Sequence, residues 1–266
     1  MLELTIDAIK DFQICERLYD YRHNDKLSEK IYSRDIYTKK FESTIKSIIY
    51  FFWYKKQGGI SPSYSSLLNR WEKLWFPKNV DHYDIVFEQH ESVYGNMSSL
   101  TTKAAGILLN IYETYGETSL IPLSISDDYV AIINKNIKIN EKFDLIYRHE
   151  NKNYVVKFLF NYKSNYSYIY QIDFAIMYLG FKLKHPDKLK DTHFGYIDLL
   201  ANKIQFVEYE INIEDIESLE YWCDTILEKD LYVPRRGLTS YCKKCPFDDP
   251  CKNWKFNQST KVSIEK

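Results

Sequence analysis

The residues best suited to chemistry are three cysteines near the C-terminal end of the sequence. Cys242, Cys245 and Cys251 form a C-x2-C-x5-C pattern within a short polar loop. Two prolines keep this loop out of helix, and Lys243 and Lys244 favour the thiolate form that binds metal. Buried free thiols are the alternative, because cysteine is often a small core residue. The spacing and its polar context favour a metal site.

A fourth possible ligand, Cys15, stands alone near the opposite end of the chain. Together with the other three cysteines it would tie the two ends together. Zinc sites usually contain two paired sets of ligands, and here the second pair is missing. Iron–sulfur clusters accept an all-cysteine set with longer and uneven spacings. Cys223 lies in a helical pattern and is most simply a core residue.

Cys15 is followed by the basic and aromatic residues Arg17, Tyr19 and Tyr21. This segment and the C-terminal C-x2-C-x5-C together resemble the iron–sulfur branch of the PD-(D/E)XK nuclease superfamily, which includes AddB-like and RecB-like proteins of DNA repair and CRISPR adaptation. The resemblance implies a [4Fe–4S] cluster that closes the fold, with Zn²⁺ as the alternative. The implied metal ligands are Cys15, Cys242, Cys245 and Cys251.

Size and composition are those of a soluble globular protein. The chain has 266 residues, of which 45% are hydrophobic and 27% charged, with a net charge of −1. No apolar run is long enough to span a bilayer, and the N-terminus does not read as a secretory signal. Five cysteines with metal-like spacing indicate a reducing, cytoplasmic environment. We expect one domain, 1–266, comprising an N-terminal helix (1–30), a helical insertion (31–117), a nuclease-like core (118–212) and a C-terminal helix with the cysteine cluster (213–266).

Apolar spacing predicts an α+β (mixed α/β) fold, in an order that fits a PD-(D/E)XK core with a helical insertion. Thr5 is the predicted N-cap of a first helix whose apolar positions continue through Cys15 to Tyr19. A β-meander follows Pro122, with breaks predicted at Asp127-Asp128 and Asn134-Lys135. Its predicted strands cover 123–126, 129–133, 136–139, 143–147 and 154–160. Helices are predicted over 35–56, within 61–117, and over 168–184 and 213–227, and further strands over 194–199 and 203–210.

The resemblance also implies a nuclease site, in which two carboxylates and a lysine converge on Mg²⁺. Asp144 matches the first carboxylate, although a solvated aspartate at a strand edge is the alternative. The helix over 35–56 places Glu42 where active relatives have a glycine and Lys46 where they have a histidine. The sequence therefore predicts a defective site.

The second half of the motif can be aligned in two registers. One places Lys157-Phe158-Leu159 over Asp/Glu-x-Lys and loses both chemical groups. The preferred one places Asn161-Tyr162-Lys163 over Asp-Tyr-Lys, which keeps Lys163 but replaces the acid with the Asn161 amide. Gln171 matches the start of the family's Gln-x-x-x-Tyr helix, whereas Ala175 occupies the tyrosine position.

These losses predict a nuclease-inactive RecB-like protein that binds DNA, protein partners or both within a DNA-processing, defence or mobile-element complex. A first alternative is an active Mg²⁺- or Mn²⁺-dependent DNA exonuclease in which Asp173 or Glu42 has become the second acid. A second alternative is a structural zinc-binding interaction module. From Leu231 onward there are eight Lys/Arg against three Asp/Glu, a basic end that suits phosphate contact. The candidate nucleic-acid contacts are Tyr162, Lys163, Arg235, Arg236, Lys243 and Lys244.

Overall fold

The computed structural model describes residues 1–27, 33–76, 94–160, 167–229, 232–233, 242, 245–247 and 250–251. The helices in these ranges are α1 Ile6–Ile14, α2 Glu16–Tyr19, α3 Ser33–Gln57, α4 Tyr64–Trp75, α5 Met97–Tyr115, α6 Ser167–Lys184 and α7 Ile213–Glu228, with a π-helical turn at Asp20–Asn24 and a 3-10 helix at Pro186–Asp191. The strands are β1 Leu2–Leu4, β2 Ile121–Ile132, β3 Ile137–His149, β4 Lys152–Leu159, β5 Thr192–Asp198 and β6 Phe206–Glu208. The predicted α+β class is confirmed.

Within the described residues, the six strands form one mixed sheet centred on β3. β2 runs antiparallel along one edge of β3. The other edge is shared, because β1 pairs in parallel with the start of β3 and β4 pairs antiparallel with its end. β5 is parallel to β4, and β6 is antiparallel to β5. Residues 140–144 of β3 therefore lie between two separate ladders on the shared edge.

The meander contains fewer and longer strands than the sequence predicts. The predicted break at Asp127-Asp128 is wrong, because both residues pair with β3 inside a continuous β2. Lys184 compensates these polar residues, since its Nζ lies 2.7 Å from both Asp127 Oδ2 and the Asp128 carbonyl oxygen. The predicted turn at Asn134 is confirmed, and its Oδ1 accepts from the backbone N–H groups of Asn136 and Ile137.

Helices cover both faces of the sheet, and each face has its own apolar core. One core packs α1, α6 and α7 against the sheet, around residues such as Phe12 and Phe174. The other packs α3, α4 and α5 against the opposite face, around Trp53 and Trp71. Leu74 on α4 is 40% exposed, so it lies outside this core. No helix among the described segments is long and apolar enough to cross a membrane.

The first predicted helix is interrupted at Cys15. Thr5 caps α1 as predicted, because its Oγ1 accepts from the backbone N–H of Ala8 at 3.1 Å. Cys15 then adopts an extended conformation, with φ −164° and ψ 120°, that ends α1 and begins α2. The sequence shows helical spacing that continues through Cys15. In the structure, however, one helix ends and another begins at this cysteine.

Candidate functional site

Asp144 lies where the regular pleat of β3 is interrupted. Phe143 packs in the core beneath α6, whereas Leu145 packs in the core beneath α3, although residues two apart on a regular strand share a face. On β2, the facing Ser126 has a left-handed φ of 49°. On the other side, the ladder with β4 ends at the pair Leu145 and Val156. This irregularity turns the Asp144 side chain towards α3 and the end of β4.

The Asp144 carboxylate is buried and fully engaged by protein donors. Lys46 Nζ on α3 lies 3.3 Å from Oδ1 and 3.2 Å from Oδ2. The backbone N–H of Phe158 donates to Oδ2 at 2.7 Å, and the hydroxyl of Tyr50 donates to Oδ1. Burial and the negative charge of Asp144 raise the pKa of Tyr50, so this phenol stays a proton donor. The alternative of a solvated strand-edge aspartate is therefore wrong, since Asp144 is only 7% exposed.

Lys157 occupies the position beside Asp144 on the neighbouring strand. Continuing the β3–β4 register one step past Leu145 and Val156 brings Asp144 opposite Lys157. Both side chains line one cavity of about 600 Å³. An ammonium group therefore stands beside the Asp144 carboxylate on the neighbouring strand.

A second buried acid, Asp173 on α6, holds Lys157 in place. Lys157 Nζ lies 2.5 Å from Asp173 Oδ1, and Lys10 Nζ on α1 lies 2.5 Å from Oδ2. Burial would raise the pKa of Asp173, but the two lysines outweigh it and the pKa is lowered. Burial would likewise lower the pKa of Lys157, but Asp173 outweighs it and the pKa is raised. Asp173 and Lys157 are therefore both charged at neutral pH.

The cavity beside Asp144 has a balanced charge. Its basic residues match its acidic residues in number, so no excess of negative charge is available for a divalent cation. Within the described residues, no group of three or more His, Cys, Asp or Glu side chains is arranged to hold a metal ion. The charged lining residues are Lys46, Lys142 and Lys157 on one side and Asp128, Glu141 and Asp144 on the other.

Other residues implied by the resemblance lie on the helices α3 and α6 or outside the described part of the chain. Gln171 and the buried Ala175 lie on α6, on either side of Asp173. Glu42 lies on α3 and accepts a hydrogen bond from the Tyr94 hydroxyl. The register through Asn161 stays a prediction. The residues outside the described ranges are Asn161, Tyr162, Lys163, Arg235, Arg236, Lys243 and Lys244.

Sequence reasoning missed Lys10 and Tyr50 and weighed Asp173 only as a possible metal ligand. A usable signal was present in the sequence, because Asp173 stands between the buried residues Ile172 and Phe174. Lys157 similarly interrupts an apolar strand. A charged residue inside an apolar run is costly to bury unless it is paired. Two such residues of opposite sign on adjacent predicted elements would have indicated the ion pair.

The predicted cysteine site is partly described, and it joins the two ends of the chain. Leu18, Tyr21 and Phe247 form a small buried cluster. The backbone N–H of Cys251 donates to the Phe247 carbonyl oxygen at 3.0 Å, which shapes the loop. The thiol-bearing residues that pack against this cluster are Cys15, Cys245 and Cys251.

The fourth cysteine, Cys242, lies beside Cys245, whose backbone N–H donates to the Cys242 carbonyl oxygen at 3.4 Å. Burial raises the pKa of Cys245, and the nearby charges of Cys15, Cys251 and Cys242 raise it further. Such mutual repulsion of thiolates is relieved when a cation binds them. Cys223 lies apart on α7, where burial raises the pKa of its thiol to about 12, and the prediction of a core residue is confirmed.

Comparison with known proteins assigns the chain to no family. No family model and no curated protein matches the chain. Among solved structures, the chain is similar to one described as "Crystal structure of SSO0001", with 12% sequence identity and a TM-score of 0.37 over 92% of this chain and 84% of that chain. A TM-score this low supports no conclusion about ancestry or function.

Proposed function

We propose that this chain is a RecB-like PD-(D/E)XK protein that does not cut DNA and serves as a DNA- or partner-binding component of a DNA-processing, defence or mobile-element complex. The proposal combines the sequence resemblance with the chemistry of the cleft around Asp144. A working nuclease of this superfamily needs acidic ligands that face an open metal position. The described cleft offers ammonium groups instead.

One observation carries the loss of cutting: lysines hold the buried acid of the cleft, Asp144, and the buried acid beside the cleft, Asp173. Lys46 lies against Asp144, and Lys157 lies against Asp173. Mg²⁺ binds through oxygen ligands and gains most from negative charge, so it would have to displace both ammonium groups. Without the metal, neither the attacking water nor the departing phosphate oxygen is stabilised.

A digestion assay tests this part of the proposal. Linear single- and double-stranded DNA, labelled at either end, should stay intact with Mg²⁺ or Mn²⁺ under conditions in which an active exonuclease degrades it. If the protein digests DNA only with metal, and Asp144→Ala abolishes the digestion, the active-exonuclease alternative is established instead. Glu217→Ala, at an exposed acid on α7 away from the cleft lining, is the matched control for a general effect of removing charge.

DNA binding is tested separately, because a protein can bind DNA without cutting it. We expect fluorescence anisotropy to detect binding whose affinity falls steeply as salt rises, since phosphate contacts release counterions. Replacing Arg235 and Arg236 with glutamine should weaken binding and reduce the salt dependence, whereas Lys103→Gln on α5 should not. If the protein does not bind DNA, or binds it with an affinity that does not depend on salt, protein binding is the remaining role. A pull-down experiment tests that role.

We also propose that the four cysteines hold a [4Fe–4S] cluster. Two features support this: the neighbouring thiols, and the uneven spacing of the ligands. Zinc sites usually contain two paired sets of ligands, and the second pair is missing here. When bound, such a cluster would cross-link the junction of α1 and α2 to the C-terminal loop. Iron and acid-labile sulfide in purified protein would support the proposal, whereas stoichiometric zinc would establish the zinc-module alternative.

A further inference from the structure

A second cavity, of about 320 Å³, lies at the end of the sheet near the start of β4 and the end of α6. It shares no lining residue with the cavity around Asp144. Its floor is apolar where Ile146 and Phe181 contribute, and its walls are polar and mostly basic. The polar lining residues are Ser124, Asp127, Arg148, Asn153, His185 and Lys188.

Strand pairing aligns three polar residues in one row across the sheet. Arg148 on β3 pairs with Asn153 on β4, and Asn153 pairs with Thr192 on β5. Residues paired in this way project from the same face. Lys188 is fixed over the row, because the Thr192 hydroxyl donates to its carbonyl oxygen at 2.6 Å. The backbone thus brings two cations to one small cavity without relying on flexible loops.

The positive charge in this cavity is not neutralised. Asp127 already pairs with Lys184, whose Nζ lies 2.7 Å away. In the described part of the chain, neither Arg148 nor Lys188 forms an ion pair through its side chain. The positive electrostatic potential also acts on His185. Burial and the charges of Lys188 and Lys184 lower the pKa of its imidazole. A cavity of this kind attracts anions.

A buried amide adds an unmet requirement. Asn153 is 5% exposed, and its Oδ1 has no hydrogen-bond partner among the described residues. The Thr192 hydroxyl donates its hydrogen bond to the Lys188 carbonyl oxygen. Towards Asn153 it can therefore only accept, and the Asn153 amino group lies 3.5 Å from it. This fixes the amide orientation and leaves the carbonyl oxygen unmet. Unpaired buried polar groups are uncommon and often indicate a bound water or ligand. Because this oxygen only accepts, its partner must be a hydrogen-bond donor, such as a water or a hydroxyl group of the ligand, and not an ionised phosphate oxygen.

We propose that this cavity is a binding site for a phosphomonoester group. Arg148 and Lys188 would contact the phosphate oxygens, since a guanidinium and an ammonium are the side chains best suited to phosphate. His185 would add a third contact when protonated. A free sugar phosphate and the 5′ end of a nucleic-acid strand present the same phosphomonoester chemistry to the site, so both are tested. The site is independent of the proposed function of the Asp144 cleft.

Two assays distinguish the sources of the phosphate. Isothermal titration calorimetry with ribose 5-phosphate and with inorganic phosphate tests the free ligand. Anisotropy with a 5′-phosphorylated oligonucleotide and its 5′-hydroxyl counterpart tests the strand end. Saturable binding in either assay supports the site when the phosphate-free counterpart, ribose or the 5′-hydroxyl strand, binds at least tenfold more weakly. The proposal is overturned if neither phosphate-bearing probe saturates or if the phosphate makes no difference.

Variants locate the binding. Replacing Arg148 and Lys188 with glutamine should weaken phosphate binding by about tenfold or more for each lost cation. Asn153→Asp, which keeps the side-chain shape but adds a negative charge, should also weaken it. Lys190→Gln, on the same 3-10 helix but outside the cavity lining, should bind as the parent does. Unchanged affinity in the double variant, folded by circular dichroism, would exclude this cavity.

Discussion

Lys157 on β4 and Asp173 on α6 form a buried ion pair, with Nζ 2.5 Å from Oδ1. The Asp173 side chain is 1% exposed, and Lys10 contacts its other oxygen. The pair joins the central sheet to the helix above it at the edge of the cleft that contains Asp144. Lysines thereby hold the buried acids Asp144 and Asp173 in ion pairs. Four of the five predictions below concern this ion pair, the cleft beside it or the cysteine cluster.

Asp173→Asn should destabilise the fold strongly. The substitution leaves Lys10 and Lys157 beside a neutral amide, with two partly buried positive charges unpaired. Breaking a buried pair in this way typically costs about 3–5 kcal/mol. Urea unfolding at pH 7 measures the loss in free energy of unfolding. Asp187→Asn, at an exposed position on the 3-10 helix, should cost under about 0.5 kcal/mol, and an equal effect of the two substitutions would contradict the structural role.

The contribution of Asp173 should depend on pH in a defined direction. Its pKa is lowered from 3.8 in the folded protein, so its stabilisation is fully present above that value. The stabilisation is lost as pH falls through the lower, folded pKa. The difference in unfolding free energy between the parent and Asp173→Asn should therefore be constant between pH 5 and 7 and shrink below about pH 4. A difference that grows on acidification would contradict the assignment.

Lys157→Glu should create a response to divalent cations that the parent chain lacks. The new carboxylate would lie beside Asp144 on the adjacent strand, and it would also replace the ammonium group next to Asp173, so the metal-free variant should be less stable than the parent. Binding of Mn²⁺ to the folded state alone adds about 1.4 kcal/mol of stability at ten times the dissociation constant. Thermal unfolding with and without Mn²⁺ measures this shift. Lys157→Gln and Lys152→Glu, which respectively lack the new acid and place it elsewhere on β4, should show no shift.

Cys15→Ser should abolish metal loading as completely as Cys245→Ser. Both residues pack on the cluster around Phe247, although they come from opposite ends of the chain. Metal and sulfide content per chain, measured after identical purification, gives the answer. Cys223→Ala is the matched control, because this thiol is buried on α7 with a pKa of about 12 and should not bind metal. Loss of metal in the control, or full loading of Cys15→Ser, would separate Cys15 from the site.

Gly180→Ala and Gly106→Ala should have opposite effects, although both residues lie within helices. A Cβ at Gly180 would lie 2.0 Å from the Tyr129 ring, so α6 and β2 would have to separate. Overpacking of this kind costs about 1–3 kcal/mol. A Cβ at Gly106 meets nothing within 4 Å, and alanine should stabilise α5 by up to about 1 kcal/mol. Denaturant unfolding of both variants checks the contact between α6 and β2.

The local sequence determined most of the helices. Thr5 provides the cap of α1, and Asn212 with Asp215 forms the capping box of α7. Gly59, with φ 76°, follows the end of α3 where the sequence predicts a stop. These features depend on a few neighbouring residues, so the sequence was sufficient to place them. The cysteine spacing likewise indicated a shared site before any contact was known.

Only the tertiary structure decided which charges meet. Asp127 and Asp128 carry a strong turn signal, but pairing with β3 and contact with Lys184 keep them in a strand. Lys10 and Asp173 are 163 residues apart in sequence, and no local pattern pairs them. Whether a carboxylate binds Mg²⁺ or an ammonium group depends on which groups packing brings within a few ångströms of it. The distance between a carboxylate and an ammonium group is set by how the helices pack on the sheet. This packing is a long-range property of the chain.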